Sequence, residues 1–166
     1  GDNPIIAPNN TQILFSKGGQ IMTAAIDGST PSRNLFYARG VNGSPIFSPD
    51  GSKIAFVSAR DDHSFIGIYS DAETPIQWLL PSFSRDNSPR WSPDGTEIAF
   101  IRNPGSGGSP DSILARKHIP WAIWRVNIAI GVGKQIWKAP ETPQGSIPSV
   151  AGGANLLWAA DRLIFT

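Results

Sequence analysis

The apolar residues of this chain fall in short runs that neither alternate with polar ones nor recur at helical spacing. Lys53-Ile-Ala-Phe-Val57 and Glu97-Ile-Ala-Phe-Ile101 are apolar at successive positions, the pattern of a strand covered on both faces. A pair of further runs follows each. Ile66-Gly-Ile-Tyr69 precedes Ile76-Gln-Trp-Leu-Leu80, and Ala122-Ile-Trp-Arg-Val-Asn-Ile128 precedes Lys134-Gln-Ile-Trp137. An earlier pair, Gln20-Ile-Met-Thr-Ala-Ala-Ile26 and Arg33-Asn-Leu-Phe-Tyr37, has the same layout. The connections Asp27-Gly28-Ser29, Asp71-Ala72-Glu73 and Gly131-Val132-Gly133 read as turns, so each unit predicts an outer hairpin.

The apolar runs belong to a longer repeated phrase. Its sharpest copies, Pro45-Ile-Phe-Ser-Pro-Asp-Gly-Ser-Lys-Ile-Ala-Phe-Val57 and Pro89-Arg-Trp-Ser-Pro-Asp-Gly-Thr-Glu-Ile-Ala-Phe-Ile101, begin 44 residues apart. A worn copy, Pro4-Ile-Ile-Ala-Pro-Asn-Asn-Thr-Gln-Ile-Leu-Phe-Ser16, makes Phe15, Phe56 and Phe100 equivalent. Pro49, Asp50 and Gly51, like Pro93, Asp94 and Gly95, put proline where a tight turn wants a fixed φ and glycine where a left-handed residue closes a bulged hairpin. Asn9-Asn10 keeps that turn in the worn copy, because asparagine tolerates a left-handed backbone.

Short strands recurring every 40 to 45 residues or so mark propeller blades. The expected fold is therefore all-β, a β-propeller fragment of about three and a half four-stranded antiparallel blades. Their bounds are about 3–38, 44–83, 88–140 with an inserted loop at 103–120, and the start of a fourth at 147–166, where Leu156-Leu-Trp158 and Arg162-Leu-Ile-Phe165 echo the phrase. An array without its neighbours leaves sheet faces uncovered, so the chain is expected to be a piece of a longer protein and to self-associate through exposed blades. A short protein that closes its ring by self-association is the alternative.

Composition narrows the function classes. With 15 prolines, 17 glycines and six tryptophans in 166 residues, the chain favours many short strands around a buried core over helices. Net charge is +1 and the 14 basic residues are scattered, so no nucleic-acid surface is expected. No apolar run approaches the roughly 20 residues that span a bilayer, and membrane insertion is not expected. There is no cysteine, which removes disulfides and thiolate metal sites but leaves the compartment open between cytoplasm and periplasm.

The third unit departs from the period with an insertion, Asn103-Pro-Gly-Ser-Gly-Gly-Ser-Pro-Asp-Ser-Ile-Leu-Ala-Arg-Lys-His-Ile-Pro120. Arg116, Lys117, His118 and Trp121 combine cationic and aromatic groups on a loop expected at one rim, where a peptide or a neighbouring domain could sit. The alternative is a tolerated surface insertion with Trp121 covering the blade. Asp61-Asp62-His63 reads as a solvated turn, since three adjacent loop residues rarely converge on one metal, and no metal or cofactor is expected. Gly131-Val-Gly-Lys134 lacks the spacing and the Ser or Thr of a phosphate loop. No Gly-x-Ser-x-Gly elbow occurs, and neither histidine has a serine and acid partner from the pattern, so no catalytic residue is expected in this chain.

The Ser-Pro-Asp-Gly-x-x-Ile-Ala-Phe phrase resembles the repeat of TolB-like propellers and of the propeller preceding the catalytic domain in prolyl oligopeptidase family serine peptidases. The third unit, with Trp121-Ala-Ile-Trp124, Gly133-Lys-Gln-Ile-Trp-Lys-Ala-Pro140, Gly145-Ser-Ile-Pro148 and Gly152-Gly-Ala-Asn-Leu-Leu-Trp158, is similar to the bacterial dipeptidyl-peptidase or acylaminoacyl-peptidase branch. The resemblance implies a seven- or eight-bladed propeller over a C-terminal α/β-hydrolase domain of the same parent protein. That propeller admits peptide substrate and excludes folded proteins, and a periplasmic or secreted location is favoured over the cytoplasm. Dipeptidyl members hold the substrate ammonium with paired acidic residues, and Glu73, Glu97 and Glu141 do not match that pair. A TolB-like interaction module without a hydrolase is the other reading.

Overall fold

The computed structural model describes residues 1–104, 120–142 and 156–165. Among these, every regular element is a strand. The first unit contains β1 (Asp2–Ile6), β2 (Gln12–Lys17), β3 (Gln20–Ala25) and β4 (Arg33–Asn34). The second contains β5 (Val41–Phe47), β6 (Ile54–Ala59), β7 (Ser64–Tyr69) and β8 (Gln77–Leu79). The third contains β9 (Arg85–Trp91), β10 (Glu97–Asn103), β11 (Ala122–Asn127) and β12 (Gly133–Lys138), and a hairpin of β13 (Leu157–Ala159) and β14 (Arg162–Ile164) follows. Within each unit the strands pair antiparallel in chain order. A parallel bridge between Ser64 and Arg85 links the second unit to the third.

The strand register repeats with the phrase. Ile6 faces Ile13, Phe47 faces Ile54, Trp91 faces Ile98 and Trp158 faces Leu163, four copies of one cross-strand pair. Phe15, Phe56 and Phe100 likewise oppose Met22, Gly67 and Trp124 on the third strand of their units. The first strand of each complete unit is bulged between Asp2 and Ile5, Gly43 and Ile46, and Asn87 and Arg90. Each bulge holds a left-handed residue, Asn3, Ser44 or Ser88, directly before a proline. Proline has no N–H to give the ladder, so the strand skips a residue there and resumes its pairing beyond.

The core lies between units rather than within a single sheet. Leu14, Ile21, Ile54 and Phe56 are buried together where the first and second units meet. Ala55, Ile66, Ile68, Trp91, Ile98 and Phe100 form the next layer. Ala55 and Ala99 are fully buried, and their small side chains let the adjacent sheet approach. The two later interfaces also share a polar contact that the first, with Phe47 at this position, lacks: the Trp91 indole donates to the Ile46 carbonyl at 3.3 Å, and the Trp158 indole to the Arg90 carbonyl at 3.2 Å. Ile46 and Arg90 occupy the same place in their units, so the bond recurs with the blade.

The Ser-Pro-Asp-Gly turns are built alike. Ser48 Oγ donates to Asp50 at 2.6 Å and accepts the Lys53 N–H at 2.9 Å, while the Ser52 N–H donates to Asp50 at 3.0 Å. Ser92, Asp94, Thr96 and Glu97 repeat this set at 2.6, 3.0 and 2.9 Å. Gly51 and Gly95 have φ of 74° and 72°, and Asn10 takes the same conformation at 56°. A Cβ on Gly51 would stand 3.4 Å from Pro8, and one on Gly95 3.5 Å from Pro49, so each turn stacks on the proline of the turn before it.

These turns give the fold an acid sensitivity. The Ser48 hydroxyl, with the Ser52 N–H and hydroxyl, holds the Asp50 carboxyl at about 2, and Asp94 is lowered from 3.8 by the equivalent donors Ser92 and Thr96. A carboxyl whose folded pKa lies below its unfolded one stabilises the fold above the unfolded value, and loses that contribution as pH falls through the folded one. The window is therefore below pH 3.8 and runs down toward 2. The D50N/D94N double variant should show a smaller drop in urea midpoint between about pH 5 and about pH 2.5 than the parent; equal drops would contradict this.

Candidate functional site

In a four-stranded antiparallel unit the first and third connections leave at one end, and the second connection and the link to the next unit at the other. Here the first end carries the Ser-Pro-Asp-Gly turns. The opposite rim gathers the links 35–40 and 80–84 with the turn 60–63. Asn103 ends β10 and Ala122 starts β11 on this same rim.

Two adjoining cavities form a groove there, of about 650 and about 540 Å³. Arg39, Arg60 and Phe65 line both. The first is completed by Val41 and by the Asp61-Asp62-His63 turn, the second by Tyr37, Ile76 and Trp78. Aromatic groups crowd its floor and margin: Phe65 meets Trp78 edge-on at 5.9 Å and His63 at 4.7 Å, and His63 meets Phe83 at 6.2 Å. Tyr37 is 81% exposed and Phe83 76% exposed, so both present large apolar surface to solvent.

Arg60 is fixed in place. Its Nη1 donates to Ser58 Oγ at 2.6 Å and to the Ala59 carbonyl at 3.3 Å, and its guanidinium lies 5.7 Å from the Phe65 ring centroid. Gly40, at φ 90°, brings the backbone so close that a Cβ there would collide with Arg60 Nη1 and the Ala59 carbonyl. Burial, and then the neighbouring charge of Arg39, lowers the Arg60 pKa below its ordinary value. Across the groove the His63 ring bonds Asp62 and holds that carboxyl below its ordinary value. Among the described residues, no group of three metal-ligating side chains converges anywhere.

Buried polar pairs tie the rim links to the sheets. In the second unit, Ser58 donates to Asn42 at 2.6 Å, and the Asn42 amide reaches the Ala38 carbonyl at 2.8 Å. The third unit puts a charge pair at the same cross-strand position. Arg102 grips the fully buried Asp86 with two bonds of 2.7 Å and reaches the Leu80 carbonyl at 2.7 Å. Burial pushes the Asp86 carboxyl above its ordinary value, and the Arg102 bonds pull it only part of the way back.

Of the residues that sequence singled out for contact, Arg116, Lys117 and His118 lie outside the described residues. Trp121 is 6% exposed and packs on Trp137 at 4.7 Å and on Phe165 at 6.2 Å. It covers the blade and faces the fourth unit's hairpin rather than solvent. Pro49, Asp50, Gly51, Pro93, Asp94 and Gly95 sit in the turns, on the rim opposite the groove. Sequence reading passed over Arg39, Arg60, Phe65 and Trp78, which no motif joins. The available signal was the pair of cationic links, Arg39 before Gly40 and Arg60 before Asp61, that close one blade's edge.

No protein-family model matches the chain, and no curated protein does. Solved structures do. TolB from Acinetobacter baumannii matches with a TM-score of 0.62 and 18% identity over 99% of this chain and 39% of that one. Pyrococcus horikoshii acylaminoacyl peptidase matches with a TM-score of 0.60 and 13% identity over 99% and 27%. The β-propeller domain of the Trilobed protease from Pyrococcus furiosus, described as having an open velcro topology, matches with a TM-score of 0.59 and 15% identity over 99% and 47%. At these identities the likeness establishes the fold, a β-propeller module. The chain spans from about a quarter to about half the length of these structures.

Proposed function

We propose that this chain is a non-catalytic propeller segment of a serine peptidase of the acylaminoacyl or dipeptidyl type, which gates and positions peptide substrate for a separate α/β-hydrolase domain of the same parent protein. The observation that carries this reading is the pairing of a propeller fold shared with peptidase structures and a groove on the rim where β10 ends and β11 starts. The groove offers cationic and aromatic groups suited to a peptide. No described residue supplies a nucleophile with its base: His63 is engaged with Asp62 and meets Phe65 and Phe83 edge-on. The chemistry then falls to a serine elsewhere in the parent, and this segment restricts which peptides reach it. A periplasmic or secreted location accords with the TolB-like reading.

A serine-directed fluorophosphonate probe tests the proposal on the full-length protein. Labelling is expected at a serine outside residues 1–166. Failure to label would favour the second reading, an interaction module without a hydrolase, which draws on the TolB match. The uncovered hairpin, with Leu157 and Ile164 at 55% and 50% exposure, supports self-association of the segment when it is separated from its parent.

A further inference from the structure

The groove on the link rim has a chemical asymmetry that the propeller fold does not require. Its two cavities share a wall made of Arg39, Arg60 and Phe65, with charge on one side and an apolar floor on the other. Among the described residues neither arginine forms an ion pair with a carboxylate, and the charge of Arg39 is near enough to disfavour that of Arg60, a repulsion that a bound anion would relieve. Arg60 is preorganised by Ser58, the Ala59 carbonyl and the close approach of Gly40. A guanidinium fixed in this way loses little further freedom on accepting a two-oxygen anion.

The surroundings select the anion. Asp61 and Asp62 stand on the margin of the same cavity and repel a multiply charged ligand such as a phosphate or a nucleic acid. A single carboxylate carries less charge for these acids to repel and meets the two cations that line the same cavity. Beyond the shared wall, Phe65, Trp78 and Ile76 offer an apolar surface, with the exposed ring of Tyr37 at its edge. We propose that this groove binds a peptide segment bearing one carboxylate beside a large apolar side chain, the carboxylate between Arg39 and Arg60 and the side chain on the Phe65 and Trp78 floor. The ligand's being a peptide rests on the peptidase reading above. The carboxylate comes from a free peptide C-terminus or from a Glu side chain, and the test separates the two.

Fluorescence anisotropy on the full-length protein, its reactive serine blocked beforehand, would use three labelled peptides: one ending in Phe with a free carboxylate, its C-terminal amide, and an amide carrying Glu next to Phe. At least one carboxylate peptide should bind tenfold or more tightly than the plain amide, and whichever does names the source. R60Q and R39Q should each remove that preference. Arg39 is exposed, so R39Q keeps the test decisive even if R60Q disturbs the rim. Equal binding of all three peptides, no binding up to millimolar concentration, or an undiminished preference in R39Q would overturn the proposal. Serine labelling is scored separately. Labelling without carboxylate preference defeats this inference alone, and preference without labelling defeats only the peptidase reading.

Discussion

Replacing Arg102 with methionine is expected to destabilise the protein by about 3–5 kcal/mol at neutral pH, among the largest effects of any single change on the link rim. Methionine keeps the unbranched apolar stem of the side chain but not the guanidinium, which lies 5.3 and 4.9 Å from the Phe100 and Trp124 rings. What is lost is the charge partner of a carboxylate that has no exposure to water. Asp86 already has a raised pKa with Arg102 present, because burial outweighs the attraction. An acid whose folded pKa exceeds its unfolded one favours the fold when protonated and disfavours it as pH rises through the folded value. The cost of R102M should therefore shrink as pH is lowered toward 4 and grow above it. The D86N/R102M double variant should recover much of the loss, since the second unit holds a neutral Asn42 and Ser58 at this position. Chemical denaturation of the parent, D86N, R102M and D86N/R102M at two pH values checks this. A loss that is independent of pH and unrelieved by D86N would contradict it.

The second large effect is expected at Phe56. Its ring is fully buried and packs against Phe36 at 4.8 Å and Trp78 at 5.8 Å, in the layer between the first two units. Phe56→Ala removes a ring from a site with little room to collapse and should cost about 3–5 kcal/mol. Gly67, directly opposite on β7, leaves the space that the ring fills: a Cβ there would stand 2.5 Å from the Phe56 ring. Gly67→Ala should therefore destabilise the parent, yet cost much less in the Phe56→Ala background. Urea midpoints for the two single variants and the double variant give the coupling. Strict additivity would show that the ring and the glycine do not share this space.

The sequence made the blades legible because each rests on local chemistry. Pro-Asp-Gly turns and runs such as Ile54-Ala-Phe56 state their conformation within a few residues, and the register of Trp91 on Ile98 follows from the phrase. The bulge before Pro45 and Pro89 was also written there, as a proline inside a strand pattern, but its left-handed residues Ser44 and Ser88 are types seldom found in that region. The groove was not legible. Arg39, on the link before β5, and Arg60, after β6, line one groove where Gly40 admits the Arg60 guanidinium, a tertiary fact without a local signature. Trp121 allowed two readings, a contact residue beside a cationic loop or a cover for the blade, and only the tertiary packing of Phe165 on it shows the second.

Consecutive blades pack side by side, and the two indole bonds between them report that packing directly. Hydrogen exchange of tryptophan side chains, followed by NMR on the folded protein, should find the Trp91 and Trp158 indole protons strongly slowed, because each is held by a carbonyl of the preceding unit. Both exchanging at the rate of free tryptophan, while the β10 amides stay protected, would mean that the sheets form but do not stack as blades.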